Sequence, residues 1–470
     1  MSKNEFLKAK KPLLKELISL LRENYEYASI LAVDSYSKKY SVSKGGLSVA
    51  EDPMFTKRGF VVRVYEDGKY GEYSFNDLTE DGVRTIADEI KKVLGGLSAL
   101  ARPEDKIELY EEKEESYFKE VDSVSADELR DESVLTRLKA LREKSFELSD
   151  KVLDTSVRFS YRRFSKLFLS DKKDLEQNVL WACGGIVVMG KNGDEIKDYY
   201  SGISSFGGKG IWEKMENALP VTVKGMEDVL GSSPMIPGEY ECVCTPEVTG
   251  MIVHEAFGHG VEEDMFVKDR ALAKDFLGKY VASPLVTMHD GAAAYPECGS
   301  YFFDDEGRDA TDTVVIDKGI LVSGINDSLS ALRLGFPVTG NGRRESFERK
   351  AYTRMTNTFF TEGDSTPEEM IKSVKYGFLL ENPYSGMEDP KNWGIQLMVN
   401  VAREIKDGVL TGKVFSPIVM TGYVPDLLKS ISMVGKDVEL CGSGFCGKGY
   451  KEWVKVSDGG PYIKAKIRLG

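Results

Sequence analysis

Three histidines occur in 470 residues, and two of them flank one glutamate in "VHEAFGHG", residues 253–260. Imidazole nitrogens bind divalent transition metals, and a carboxylate beside them can move a proton. The zinc-peptidase helix motif H-E-x-x-H uses this set with its histidines four apart. Here His254 and His259 are five apart, with Glu255 next to the first. On an α-helix, residues five apart are rotated by roughly 140° from one another. A π-type turn brings them back to one face, and such turns occur often at functional sites. Gly258 and Gly260 ease that distortion or end the helix. The spacing therefore predicts a π-bulge or a helix break between His254 and His259.

A catalytic zinc needs a third protein ligand and one open position. His289, Cys441, Cys446, Glu262, Glu263 and Asp264 all have suitable side chains. Cys446 lies among glycines in "GSGFCGKG", read as a loop from which a thiolate can approach a metal. Spacing alone leaves this choice open.

The elements that must carry these residues can be read around them. Thr245, Pro246 and Glu247 form a helix start: a capping hydroxyl, a proline suited to the first turn, and an acid at the positive end of the dipole. Val248, Met251 and Ile252 supply an apolar face, which places the histidine motif on a helix. "GSSPMIPGEYECV", residues 231–243, is rich in Gly, Ser and Pro and is taken as the main boundary, between 1–230 and 231–470. Beyond it, short β-rich runs broken by glycines predict a mostly antiparallel β domain, the motif helix being its exception.

Before that boundary, Leu14, Leu17, Ile18 and Leu21 have helical spacing. Asp67-Gly68 within 60–75 and Asn192-Gly193 within 184–200 are hairpin signals. A second helix is expected in 81–97, and a third opens at the capping-box pattern Ser125–Glu128 and runs to about Leu148. The charged stretch 101–116 reads as a solvated connector. The recurring helix and hairpin hint at an internal duplication. Together the elements predict an α+β fold: an N-terminal region of helices packed on antiparallel sheets, then a β-rich region carrying the motif helix.

Hydrophobic residues make up 41% and charged residues 30%, an ordinary globular balance. A formal net charge of -13 repels a phosphate backbone and argues against direct nucleic-acid binding. No stretch is long and apolar enough to span a bilayer, and the first residues lack a signal peptide's apolar region. Six cysteines in this length make no disulfide framework, so a reduced, cytoplasmic setting is expected.

The stretches "PEVTGMIVHEAFGHGVEED", "VASPLVT", "DDEGRDATDTVVIDKGIL", "TGNGRRES", "RMTNTFF", "MVGKDVEL" and "CGKG" together resemble the TldD/PmbA family over nearly the whole chain. The retained HExxxH is similar to its TldD-like, zinc-peptidase branch; the PmbA/TldE-like branch lacks it. The resemblance implies Zn2+ on His254, His259 and Cys446, with Glu255 as general base. It implies peptide or unfolded polypeptide substrates in an enclosed site. It also implies a dimer, either a homodimer or a heterodimer with a motif-less TldE/PmbA-like paralogue. Asn341, Arg343 and Arg344 in "TGNGRRES" are expected to line the substrate site, and the two arginines meet either a peptide carboxylate or a structural ion-pair partner. The competing readings are a non-catalytic peptide-binding subunit, which the intact motif argues against, and a regulator of DNA gyrase, against which the acidic balance speaks.

Overall fold

Leu7, Leu14, Leu17, Ile18 and Leu21 form the buried stripe of α1 (Glu5–Arg22). Burying each such side chain contributes roughly 1.5–3 kcal/mol. The structure is a computed structural model that describes residues 4–96, 106–449 and 452–470. After α1 come β1 (Tyr27–Ser43), β2 (Gly46–Glu51), β3 (Lys57–Glu66), β4 (Lys69–Phe75) and α2 (Val83–Leu94). Then come β5 (Glu115–Val121), α3 (Asp131–Leu148), β6 (Val152–Leu169), β7 (Lys173–Asn192), β8 (Glu195–Phe206) and α4 (Ile211–Val229). These strands make one eight-stranded sheet in the order β4-β3-β1-β6-β7-β5, with β2 on β1 and β8 on β7. All its pairs are antiparallel except β5 with β7.

The two expected hairpins form: β3 turns into β4 through Asp67-Gly68, and β7 turns into β8 with Asn192 opposite Glu195. In chain order α1 and α2 flank β1–β4, and α3 and α4 flank β6–β8, with β5 ahead of α3. α1 and α2 share a core with Phe60 and Val62, and α3 and α4 share another with Phe159 and Ile186. This is the helix–strand–helix recurrence that the sequence hinted at.

Two local expectations need correction. Ser125 and Glu128 do exchange capping-box hydrogen bonds, at 3.0 and 3.2 Å, but they close a turn. α3 starts later, at Asp131, because Asp127 to Arg130 turn once more before the helix begins. The connector expected at 101–116 runs into β5 at Glu115; residues 101–105 of it, and residue 97 of the second helical stretch, lie outside the described residues.

Strands after residue 237 build two further sheets. One has six strands in the order β12-β11-β10-β15-β24-β21: β10 (Met288–Asp290), β11 (Thr313–Asp317), β12 (Ile320–Leu321), β15 (Asn357–Phe360), β21 (Glu439–Cys441) and β24 (Ser457–Gly460). The other joins β9 (Gly238–Cys244), β16 (Tyr376–Asp389), β17 (Gly394–Lys406), β18 (Val409–Phe415), β19 (Ile418–Tyr423), β20 (Met433–Val434) and β25 (Ile463–Leu469). Because β16 also pairs with β17, strands β16, β9, β25, β19 and β17 close into a ring. Among these pairs only β9–β16 and β15–β24 are parallel. Two small hairpins complete the region: β13 (Gly342–Arg343) with β14 (Tyr352–Thr353), and β22 (Phe445–Lys448) with β23 (Glu452–Lys455). The fold is therefore α+β and mostly antiparallel, with a β-rich C-terminal part. Short helices also punctuate that part, more than its sequence indicated.

Candidate metal centre

β9 passes directly into α5 (Pro246–Val253), which lies between the ring and the six-stranded sheet. Gly250 makes that packing possible. A Cβ there would stand 2.6 Å from the backbone nitrogen of Gly459 in β24. Thr245 occupies the capping position, but its hydroxyl makes no cap bond and is buried without a partner. Its backbone is tied to the sheet instead, donating from N to Leu380 O at 3.1 Å.

α5 then widens. His254–Gly258 form a π-helical turn, followed by a 3-10 turn at His259–Val261. The expected distortion lies where the five-residue spacing demands it. The two imidazoles face each other edge to face, with ring centroids 5.2 Å apart. Gly258 leaves room there, since a Cβ would stand 2.2 Å from Met355 Sδ.

The third member arrives from far along the chain. Cys446 Sγ is 3.4 Å from His259 Nε2. Ligand atoms of His254, His259 and Cys446 lie within 4.8 Å of one another, the one such grouping among the described residues. Donors on one tetrahedral zinc, at roughly 2.0–2.3 Å from it, sit roughly 3.3–3.6 Å apart. A buried His254 Nδ1 has no hydrogen-bond partner, the condition a bound cation relieves. Two imidazoles and a thiolate are also a zinc-type donor set. The residues fit the metal.

The local field supports the same charges. Burial pushes the Cys446 thiol up, but the His259 and His254 imidazoles outweigh it and hold the thiol well below its usual range. Burial pushes His254 down, and the Cys446 thiolate more than reverses this, to about 9. A cation takes the place of such imidazole protons and leaves the thiolate as ligand.

Further groups hold these three side chains in place. His259 Nδ1 bonds Glu262 Oε2 at 3.3 Å, which turns Nε2 toward Cys446. Glu262 is itself buried beside Lys448 (3.0 Å) and Arg354 (3.7 Å). Burial raises its carboxyl, and Lys448, His259 and Arg354 bring it well below the usual range. Arg354 donates to Cys446 O at 2.7 Å and to Glu452 O at 2.9 Å, clamping both strands of the β22–β23 hairpin. Cys446 is thus on a strand, where the glycines around it had indicated a loop. Glu388 accepts from Gly260 N at 3.2 Å. Glu255 is partly exposed beside β16, where Gly386 leaves it space: a Cβ on Gly386 would stand 2.4 Å from Glu255 Cγ.

The other candidate ligands are placed elsewhere. His289 on β10 bonds Asp312 at 2.6 Å. Cys441 is 3.3 Å from Ser443 Oγ. Glu263 accepts from Gly324 N and Asn326 Nδ2, and Asp264 pairs with Lys448 and Lys268. Asn341, Arg343 and Arg344 are buried and outside the cluster. Asn341 donates to Asp290 (2.8 Å) and to Arg354 O (3.1 Å). Arg343 donates to Met355 O and Lys455 O. Arg344 forms an ion pair with Glu72 of the first sheet, the structural option of the two read for it. The supporting residues Arg354 and Lys448 lie in "RMTNTFF" and "CGKG". Each lies far along the chain from Glu262, so the sequence carried no signal for its role.

Residues 237–468 match the model of the PmbA/TldA metallopeptidase C-terminal domain. Metalloprotease MJ0996 of Methanocaldococcus jannaschii is 27% identical, over 96% of this chain and 98% of its own. A metalloprotease of Methanothermobacter thermautotrophicus is 30% identical over 67% of this chain and 69% of its own. A zinc metalloprotease TldD homolog of Saccharolobus solfataricus is 32% identical over 51% and 53%. Two solved structures share the fold. Thermotoga maritima TM0727 has a TM-score of 0.79 at 18% identity, covering 98% of this chain and 100% of that one. TldE of Thermococcus kodakarensis has 0.74 at 16%, covering 97% and 100%.

Proposed function

The chain belongs to the TldD/PmbA family of metallopeptidases, and on that premise we propose that it is a zinc-dependent peptidase of the TldD-like branch. The observation that carries this reading is the convergence of His254, His259 and Cys446 on one point, with Glu255 next to His254 in the chain. A zinc ion held there supplies a Lewis acid that acidifies water and polarises a carbonyl.

The chain's own groups do the rest. Glu255 follows His254 directly, so the π-turn that aims the imidazole also sets the carboxylate at the cluster's edge. It takes the proton of the attacking water and passes it to the leaving amine. Glu262 holds the His259 tautomer, and Arg354 holds the hairpin that carries Cys446. Asn341 and Arg343 act one step further out, on Arg354 and on the end of β23. The substrate is a small or unfolded polypeptide, which extended strands near the site can accept by main-chain pairing. We take 1–230 and 231–470 as the two domains. The setting is cytoplasmic, and the partner is a second copy or a motif-less TldE/PmbA-like paralogue.

Metal analysis with peptide cleavage tests the reading. The purified chain, assayed alone and with such a paralogue, should hold zinc near one per chain and cleave an unstructured peptide. A chelator should stop cleavage and added zinc restore it. Cys446→Ala should lose the zinc. Stoichiometric zinc in that variant would mean that another ligand completes the site.

A further inference from the structure

The hairpin that presents Cys446 has a second face. Side chains alternate along a strand, so Cys446 and Lys448 share one face, and Phe445 shares the other with its cross-strand partner Lys455 and with Trp453. That second face closes a cavity of about 310 Å³ against β1, β6 and β7 of the first sheet. Phe55, stacked on Phe445 at 4.8 Å, and Trp181 are also in its walls.

Two cations stand in this largely aromatic cavity without a carboxylate salt-bridge partner. Lys455 is 2% exposed, and its Nζ is buried with no hydrogen-bond partner. Arg162 has a buried Nε in the same condition, and its guanidinium lies over the rings of Phe55 (4.9 Å) and Trp181 (5.6 Å). Among the described residues neither forms a salt bridge. Asp52 is the one carboxylate lining the cavity, and Lys39 pairs with it at 2.7 Å. The groups that act most strongly on Lys455 are thiols, Cys183 first. Cys183 itself is drawn down to about 6, by its bond with Cys298 and, against burial, by the Lys455 ammonium.

Buried charge without a close carboxylate is unfavourable, and a bound anion relieves that cost. The cavity is small, apolar on its walls and cationic at two points. We propose that it is a carboxylate-binding site, taking a monocarboxylate with an apolar side group, its carboxylate between Lys455 and Arg162. The carboxyl terminus of a peptide has this chemistry, and so does a free aryl-alkyl acid. Because the cavity and the metal cluster use opposite faces of one hairpin, occupancy of the first bears directly on the strand that carries Cys446. The assignment stands on the cavity's own groups and not on the peptidase reading.

Calorimetric titration of the full chain, with chelator present so that no metal answers, tests it. The probes are N-acetylphenylalanine, 3-phenylpropionate and N-acetylphenylalaninamide. At least one acid should bind, and the neutral amide about tenfold or more weakly. Added salt should weaken the acids and spare the amide. Lys455→Met and Arg162→Met should each weaken the acids by a similar factor. Tighter binding of N-acetylphenylalanine identifies a peptide end as the occupant, and tighter 3-phenylpropionate a free acid. Equal binding of acid and amide, or no binding of either acid, overturns the proposal. So does acid affinity unchanged in both variants. If Lys455→Met does not fold, Arg162→Met and the acid–amide comparison on the unaltered chain still decide.

Discussion

Glu255 is held in place by what its neighbour lacks. Gly386 on β16 has no side chain, and a Cβ there would overlap Glu255 Cγ at 2.4 Å. Gly386→Ala should therefore displace the carboxylate while the three ligands stay. We expect kcat to fall by about tenfold or more with zinc content unchanged, read from steady-state kinetics and metal analysis; displacing a general base sacrifices part of the ~10²–10⁴-fold it provides. Full kcat in this variant would remove Glu255 from the mechanism. At this scale the histidine pair was legible because its spacing is local. The proposed third ligand was not legible from spacing, since Cys446 lies 187 residues beyond His259 and meets it only through the packing of a hairpin. His289 also had a suitable side chain, but its imidazole bonds Asp312.

α5 and its π-turn form the element on which the centre depends. Five-residue spacing with two glycines predicted the turn, and it is found at His254–Gly258. Two capping signals led to something other than a capped helix start: the Thr245 hydroxyl makes no cap bond, its backbone N bonding Leu380 O, and the Ser125 box closes a turn one step before α3. Packing of α5 on β24 depends on Gly250, whose added Cβ would meet backbone rather than a movable side chain. Gly250→Ala should lower unfolding free energy by about 1–3 kcal/mol. It should also weaken zinc binding, because the π-turn shifts with the helix. Urea titration and competition with a chromophoric chelator measure the two. Unchanged values in both would show that the helix does not rely on that contact.

Across the whole molecule, charged groups tie the first sheet to the β-rich part. Glu72 on β4 meets Arg344, and Arg63 on β3 meets Glu306 at 2.6 Å. Burial raises the Glu72 carboxyl, yet Arg63 and Arg344 outweigh it and hold it at about 2. A carboxyl held low in the folded state adds stability above its ordinary range. That contribution declines below pH of about 4.5 and is gone near 2, and at neutral pH it is on the order of 3 kcal/mol. Glu72→Gln should lower stability at pH 7, and the gap from the unaltered chain should narrow by pH 3. A gap constant with pH would exclude this pairing as its cause. Such ties were not legible in the sequence, because Glu72 and Arg344 are 272 residues apart. The order of elements was legible, because hairpin turns and helical stripes are local. Among the described residues no helix is long and apolar enough to cross a membrane.

The central claim is that Glu255 performs proton transfer at a zinc held by His254, His259 and Cys446. Cleavage of one unstructured peptide by Glu255→Gln and by the unaltered chain, compared at equal bound zinc, tests it most directly. The account predicts that the variant keeps its zinc and loses about 100-fold or more in rate. A zinc-loaded Glu255→Gln that cleaves at the unaltered rate would contradict it.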